Sequence, residues 1–317
     1  MVKMGLIGLG KWGLNHLKSL NDVDCDIIGV FDTDKTKKRI ADNYGTTFFE
    51  DYMKLLKKTD AVVIATPTDT HYRLVKKCLH AGKHVLVEKP IAENSEQGKK
   101  LVELAKKKNL ILSVGYLYRF NNAVKKTKEL IDKIGELQYI TARYIHSTKP
   151  PRKDSGVIMN LGIHVIDILN FITNRIPTSV YAKKKNLLSN IFEDSACILL
   201  DYQDFFASIE LSCTHPYKRR DMWIIAEKEK IYVDYFNQKI ARYPIMVSYE
   251  KVDKKDFFEE KIMANQSLKE ELKYFVELID KKMFDPETNM GGENYYTTRV
   301  CELCLKSATT GREIKVA

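Results

Sequence analysis

The segment Gly8-Leu9-Gly10-Lys11-Trp12-Gly13 constrains this 317-residue chain more than any other, because it makes physical sense only as the turn between a strand and a helix. Met4 to Ile7 is a short apolar strand, and Trp12 to Leu20 reads as the helix that follows. Gly8 permits a tight turn, Gly10 lets a pyrophosphate approach the backbone, and Gly13 lets the helix pack against the strand. The helix N-terminus, with Lys11 and Trp12 in its first turn, then faces the anion. A second strand, Asp26 to Phe31, leads into Asp32, at the distance where a carboxylate meets the ribose hydroxyls of a dinucleotide. That charge repels a 2′-phosphate, so NAD is expected and NADP less so. Lys35, Lys37, Lys38 and Arg39 could hold such a phosphate, although a solvated helix face is the simpler reading.

Strands and helices continue to alternate to about residue 115, which is the pattern of a doubly wound parallel sheet. Beyond it, Leu137 to His146, Val180 to Lys185, Ala196 to Tyr202, Phe205 to Ser212, Met222 to Ala226 and Ile231 to Tyr235 read as strands of an antiparallel sheet. Helices interrupt it at Val157 to Thr173, Ser267 to Lys281 and Glu293 to Thr310. The expected fold is an α/β Rossmann domain, residues 1–118, followed by an α+β domain with a large, mostly antiparallel sheet, residues 119–317. The boundary lies near Tyr116 to Asn122. Arg312 to Val316 is expected to add a short strand, and the C-terminal residues could return to the first domain.

Composition excludes several classes of function. Lys and Arg number 52 against 42 Asp and Glu, a net charge of +10. The lysines are scattered among acids without a basic-aromatic stripe, so nucleic acid is not an expected partner, whereas a modest positive field could attract an anionic substrate. No apolar run approaches the roughly 20 residues of a membrane span, and because the N-terminal residues read directly as a strand, a cleavable leader is not expected. A cytoplasmic protein with no membrane partner is expected. The six cysteines show no disulfide spacing, and Cys301 with Cys304 lies in an apolar helical pattern, so core packing is expected and a metal is not.

Ligands of such folds bind at the carboxyl ends of the parallel strands. Thr66-Pro67-Thr68 with His71, Glu88-Lys89-Pro90, and Tyr116 with Arg119 occupy those ends. A pocket lysine such as Lys89 can hydrogen-bond a substrate hydroxyl, and desolvation beside a positive nicotinamide would let it share in proton removal. In the second half, Asn160, His164 and Asp167 fall at i, i+4 and i+7 on one helical face. His164 can accept an alcohol proton near neutral pH, and Asp167 could fix its tautomer. Gly162 leaves room for a close neighbour, expected to be cofactor or substrate.

These residues resemble the glucose-fructose oxidoreductase and inositol dehydrogenase family, Gfo/Idh/MocA. The likeness runs through the glycine fingerprint, Ala65-Thr66-Pro67 with His71, Gly82 to Pro90, and the Gly162-Ile163-His164 helix, with Glu88-Lys89-Pro90 its most specific mark. The resemblance implies an NAD-dependent dehydrogenase with Lys89 and His164 catalytic. It implies cofactor contacts at Gly8, Gly10, Lys11, Trp12, Gly13, Asp32, Thr66, Pro67, His71, Glu88 and Lys89. Substrate contacts are implied at Lys89, Tyr116, Arg119, Asn160 and His164, and assembly as a homodimer or homotetramer. Many members carry aspartate where this chain has Asn160, and an amide cannot take a proton. Pro150 to Gly156 and Pro216 to Arg220 resemble members that oxidise nucleotide sugars, which makes Arg152, Lys218 and Arg220 candidate contacts for a sugar diphosphate. The expected reaction is oxidation of the 3-hydroxyl of a UDP-N-acetylhexosamine. The alternatives are an inositol or free aldose dehydrogenase and a non-catalytic NAD-binding sensor or scaffold.

Overall fold

The computed structural model describes residues 1–147, 155–188, 190–283 and 294–316. They form two compact units: Met1–Leu117 with Leu268–Thr298, and Tyr118–Ser267 with Arg299–Ala317.

The first unit is a parallel sheet of β1 (Lys3–Ile7), β2 (Asp26–Phe31), β3 (Phe48–Phe49), β4 (Ala61–Ile64), β5 (His84–Val87) and β6 (Leu112–Val114). Their spatial order is β3-β2-β1-β4-β5-β6. The chain winds outward from β1 in one direction and from β4 in the other, so the strand ends beside this reversal form the natural ligand position. β4 has four fully buried residues, as expected of a strand covered on both faces. The connecting helices are α1 (Lys11–Leu20), α2 (Lys38–Asn43), α3 (Tyr52–Leu56), α4 (Thr68–His80) and α5 (Ser95–Lys108). Local chemistry sets their limits. The Asn94 side chain accepts from the Gln97 amide at 2.9 Å to start α5, and Asn109, at φ 54°, ends it after three lysines that suit a helix C-terminus.

The helix Ser267–Asp280 belongs to this unit, whereas the sequence places it in the second domain. Its apolar stripe of Leu272, Phe275, Val276 and Leu278 packs in one cluster with Met4, Leu6, Leu17, Leu20 and Val63. A 3.6-residue period reveals that a helix has a buried face but not which sheet it covers.

The second unit is built on a nine-stranded sheet from β7 (Leu137–Ser147), β8 (Ser179–Lys185), β9 (Ser195–Asp201), β10 (Phe206–Ser212), β11 (Thr214–Ala226), β12 (Lys230–Asp234), β13 (Lys239–Tyr243), β16 (Phe258–Glu259) and β17 (Ile314–Lys315). β14 (Ile245–Val247) and β15 (Val252–Lys254) form a separate hairpin. Every pairing in the large sheet is antiparallel except β7 with β10. One face buries Ile140, Ala142, Ile198, Leu200, Ala207, Ile209, Met222 and Ile224. α6 (Asn122–Ile131) and α7 (Ile163–Thr173) pack together in this unit. The opposite face keeps Leu199 and Phe206 exposed, with Tyr139 stacked on Phe206 at 5.6 Å and Trp223 against Tyr232 at 5.0 Å.

Several elements depart from the sequence reading. α6 and the strands from Lys239 to Glu259 are additional; the latter are two to five residues long and only partly buried or exposed, too short for an apolar alternation to announce them. β11 starts at Thr214, so Lys218 and Arg220 lie in a strand, with an irregular pairing to β7 between Thr214 and Arg219. The helix around residue 160 is not regular: Ile158 to Gly162 form a π turn, closed by Ile163 N–H donating to the Ile158 carbonyl. Among the described residues no helix is long and apolar enough to cross a membrane, and Cys301 and Cys304 are buried thiols. Phe275→Ala is expected to destabilise the protein by about 3–5 kcal/mol, read from urea unfolding curves, because its ring is wholly enclosed in the first core.

Candidate active site

In the first unit two of the three fingerprint glycines, Gly8 and Gly13, answer a steric constraint of the protein itself. Gly8 sits at φ +98°, and a Cβ there would lie 2.6 Å from the Ala65 carbonyl oxygen. A Cβ on Gly13 would meet the Gly8 carbonyl oxygen at 2.0 Å, so α1 can lie this close to β1 only with glycine. A Cβ on Gly10 would touch nothing within 4 Å. Gly10 also starts α1 without any side-chain cap, and no acid stands in the first turn. Gly10 thus stands clear of other protein atoms at an uncapped helix start beside Lys11 and Trp12, an arrangement that fits the pyrophosphate of a dinucleotide. Asp32 is aimed at this turn: its carboxylate accepts from the Leu9 amide at 2.6 Å and from the Asp34 amide at 2.8 Å.

The two strand-end turns after β4 and β5 are tied to each other. Thr66 shares a hydroxyl hydrogen bond with Thr70 at 2.6 Å, and Pro67 precedes α4. His71 has no exposed surface, with Nδ1 2.8 Å from the Pro90 carbonyl oxygen and Nε2 2.9 Å from the Thr66 carbonyl oxygen. It therefore braces the two turns through its ring. Glu88 is buried as well, and its Oε1 accepts from His16 Nε2 at 2.8 Å. Its other oxygen accepts from the Lys89 amide at 3.2 Å, and Gly115 leaves the carboxylate just enough space. Burial pushes the Glu88 carboxyl up, but the hydrogen bond and charge of His16, with Lys89 and His71 nearby, hold it below the usual carboxylate value. Lys89 is itself buried. Tyr116, after β6, is buried too. His16 escapes sequence reasoning because it stands on the apolar stripe of α1 with Gly13, Leu17 and Leu20, where a polar partner some seventy residues away leaves no local signal.

The second unit gathers Asn160, His164, Tyr118, Tyr144 and Arg220. Asn160 lies in the π turn and His164 opens α7, both buried. The His164 ring meets Tyr118 edge-on at 5.3 Å and lies over Tyr144 at 6.2 Å. Arg220 Nη1 donates to the Tyr118 hydroxyl at 2.8 Å, and its guanidinium stands 4.6 Å from the Tyr144 ring and 5.0 Å from that of Phe236. Its Nε has no hydrogen-bond partner among the described residues. Lys218 sits 3.9 Å from the same Phe236 ring. The local field is positive: burial first, then Arg220 and Lys218, hold His146 below the ordinary imidazole value.

Three expectations change. Asp167 does not serve as an orienting partner for His164; its two oxygens accept from Arg119 Nε and Nη2, the shortest contact being 2.6 Å. Burial raises the Asp167 carboxyl and Arg119 only partly opposes it, so this pair braces the 3₁₀ turn Leu117–Phe120 against α7, and Arg119 is committed largely to the scaffold. Gly162 makes room for Leu211 of β10, which a Cβ would meet at 2.8 Å, and not for a ligand. Arg152 lies outside the described residues. The sequence also gives no hint of Glu193, whose Oε1 accepts from the Ile158 amide at 3.0 Å and so caps the turn that leads to His164. A Cβ on Gly156 would stand 2.1 Å from this carboxyl, so that glycine and Glu193 form one device.

Residues 2–116 match the model of the Gfo/Idh/MocA oxidoreductase family, NAD-binding Rossmann fold, and residues 124–232 match the GFO/IDH/MocA C-terminal domain. UDP-N-acetylglucosamine 3-dehydrogenase of Acidithiobacillus ferrooxidans is 30% identical over 182 residues, 57% of each chain. Inositol 2-dehydrogenase of Rhizobium meliloti is 30% identical over 203 residues, 61% of this chain and 62% of that one. The matched stretch thus spans about three fifths of these relatives. A solved structure of the Acidithiobacillus ferrooxidans enzyme superposes with a TM-score of 0.85 at 24% identity, covering 97% of both chains. An Agrobacterium radiobacter oxidoreductase in complex with NAD+, L-tartaric acid and magnesium does so with a TM-score of 0.83 at 21% identity, covering 99% of this chain and 98% of that one. These structures share the fold.

Removing the Glu193 cap should be visible in solution. Glu193→Ala is expected to cost about 1–2 kcal/mol in urea unfolding, and Glu193→Gln clearly less, since its amide oxygen can still accept from Ile158.

Proposed function

The chain belongs to the Gfo/Idh/MocA oxidoreductase family, and from that premise we propose that it oxidises the 3-hydroxyl of a UDP-N-acetylhexosamine with NAD as oxidant. The observation that carries the substrate class is Arg220. Its guanidinium is held between Tyr144 and Phe236, a single Nη1 bond fixes it to Tyr118, and Nε is left with a donor to spend. Lys218 stands over the same ring. Two cations on an aromatic support, next to the ring that packs against His164, suit an anionic group attached to a sugar better than a bare polyol. The 30% identity to a UDP-N-acetylglucosamine 3-dehydrogenase supports the same choice. The inositol relative at equal identity keeps an uncharged polyol as the competing substrate.

The uncapped N-terminus of α1, Gly10 and Asp32 would hold the dinucleotide. Bound there, it supplies the hydride acceptor. The Asp32 carboxylate favours free ribose hydroxyls over a 2′-phosphate. His164 accepts the hydroxyl proton in an aromatic pocket that keeps water away, and Lys89 hydrogen-bonds the hydroxyl from a turn locked by His16 and His71. Asn160 can orient a hydroxyl but cannot accept its proton. Self-association through the exposed aromatic face of the large sheet accompanies this reading; light scattering should return the mass of a dimer or tetramer, and a monomer would exclude it.

The deciding assay is NADH formation with UDP-N-acetylglucosamine, UDP-glucose, myo-inositol and glucose in parallel. Activity is expected with the UDP-N-acetyl sugar and with NAD over NADP. His164→Ala and Lys89→Met should each lower kcat by about 10²- to 10⁴-fold without unfolding the protein. Arg220→Met should act mainly on KM, raising it roughly tenfold or more, as loss of a charge-assisted contact does. Turnover of myo-inositol alone would overturn the nucleotide-sugar reading.

A further inference from the structure

We propose that His71 carries a proton on each ring nitrogen in the folded protein and, as a buried imidazolium, is the positioning residue for the turn that bears Lys89. Both ring nitrogens point at backbone carbonyl oxygens, Nδ1 at Pro90 from 2.8 Å and Nε2 at Thr66 from 2.9 Å. A carbonyl oxygen only accepts, and a neutral imidazole has one N–H, so a neutral ring would set a bare nitrogen lone pair against an oxygen lone pair at hydrogen-bond distance. The ring is fully enclosed, leaving water no route to relieve that repulsion.

The surroundings supply the compensating charge. From the turn after β5, Glu88 presents a buried carboxylate and Lys89 an opposing cation; from α1, His16 faces Glu88; on α4 itself Asp69 and Arg73 are exposed. The Glu88 carboxyl stays below its ordinary value despite burial, with His71 among the causes. The two bonds act at different places: one holds the end of the β4 turn, the other holds the residue immediately after Lys89. Loss of either proton would release one of the two turns. The assignment of charge is independent of the substrate; only its consequence for Lys89 rests on the function proposed above.

The test is a long-range ¹H–¹⁵N spectrum of the full-length protein labelled with ¹⁵N-histidine, using His71→Asn to assign the signals. Two protonated nitrogens for His71 at pH 7 are expected; a single protonated nitrogen at that pH would overturn the proposal. In His71→Asn, which can donate from one nitrogen only, amide exchange over residues 88–92 should quicken at least tenfold while urea unfolding remains cooperative, and unchanged exchange there would also overturn it. Because neither readout uses a sugar, failure of the substrate reading leaves both intact. If His71→Asn fails to fold, the wild-type signals, assigned by elimination through variants of the other histidines, decide alone.

Discussion

How closely the backbone of α1 can lie against the end of β1 governs the rest of the first unit. Gly13 sits where any Cβ would strike the Gly8 carbonyl, and Gly8 sits where any Cβ would strike the Ala65 carbonyl after β4. These two contacts bring three backbone segments together at the reversal of strand order. Once α1 is so placed, His16 on its inner face reaches Glu88 after β5. Steric permission in one turn therefore decides whether a buried ion-pairing contact forms at another, and that contact in turn shapes the segment that bears Lys89. A buried carboxylate without such a partner would be costly, so the pair acts as a condition on the whole arrangement more than as a gain in stability.

Much of this unit is legible in the sequence because its determinants are local. A glycine spacing, an apolar run and a terminal acid all act within a few residues of themselves, and β1, α1, β2 and Asp32 follow from them. His71 shows the limit. It stands near a strand end, in the first turns of α4, and nothing local announces that the fold sets both of its ring nitrogens against carbonyls nineteen residues ahead and five behind. Whether a polar side chain faces a ligand or the protein's own backbone is a question of tertiary geometry.

The second unit is less legible for a related reason. A helical wheel through Asn160, His164 and Asp167 assumes 3.6 residues per turn, and the π turn from Ile158 to Gly162 breaks that assumption. Asp167 then pairs with Arg119, 48 positions earlier, and Glu193 arrives from a loop 35 positions later to cap the turn. Lys218 and Arg220 are recognisable as cations, but the ring system that holds Arg220 comes from Tyr118, Tyr144 and Phe236, three aromatic residues far apart in the chain. Aromatic residues in strands are ordinary packing material, so nothing in their spacing marks them as a support for charge.

The division of the chain carries a consequence for its birth on the ribosome. The first 117 residues contain the entire parallel sheet, but part of their core is furnished by the stretch Leu268–Thr298. At translation rates of about 5–20 residues per second, the interval between these segments lasts roughly 8 to 30 s. Throughout it, the apolar surface that Leu272, Phe275 and Leu278 will cover stays without its final partner. The nascent sheet must wait while Tyr118–Ser267 is made, so the strands are synthesised well before the helix that completes their core.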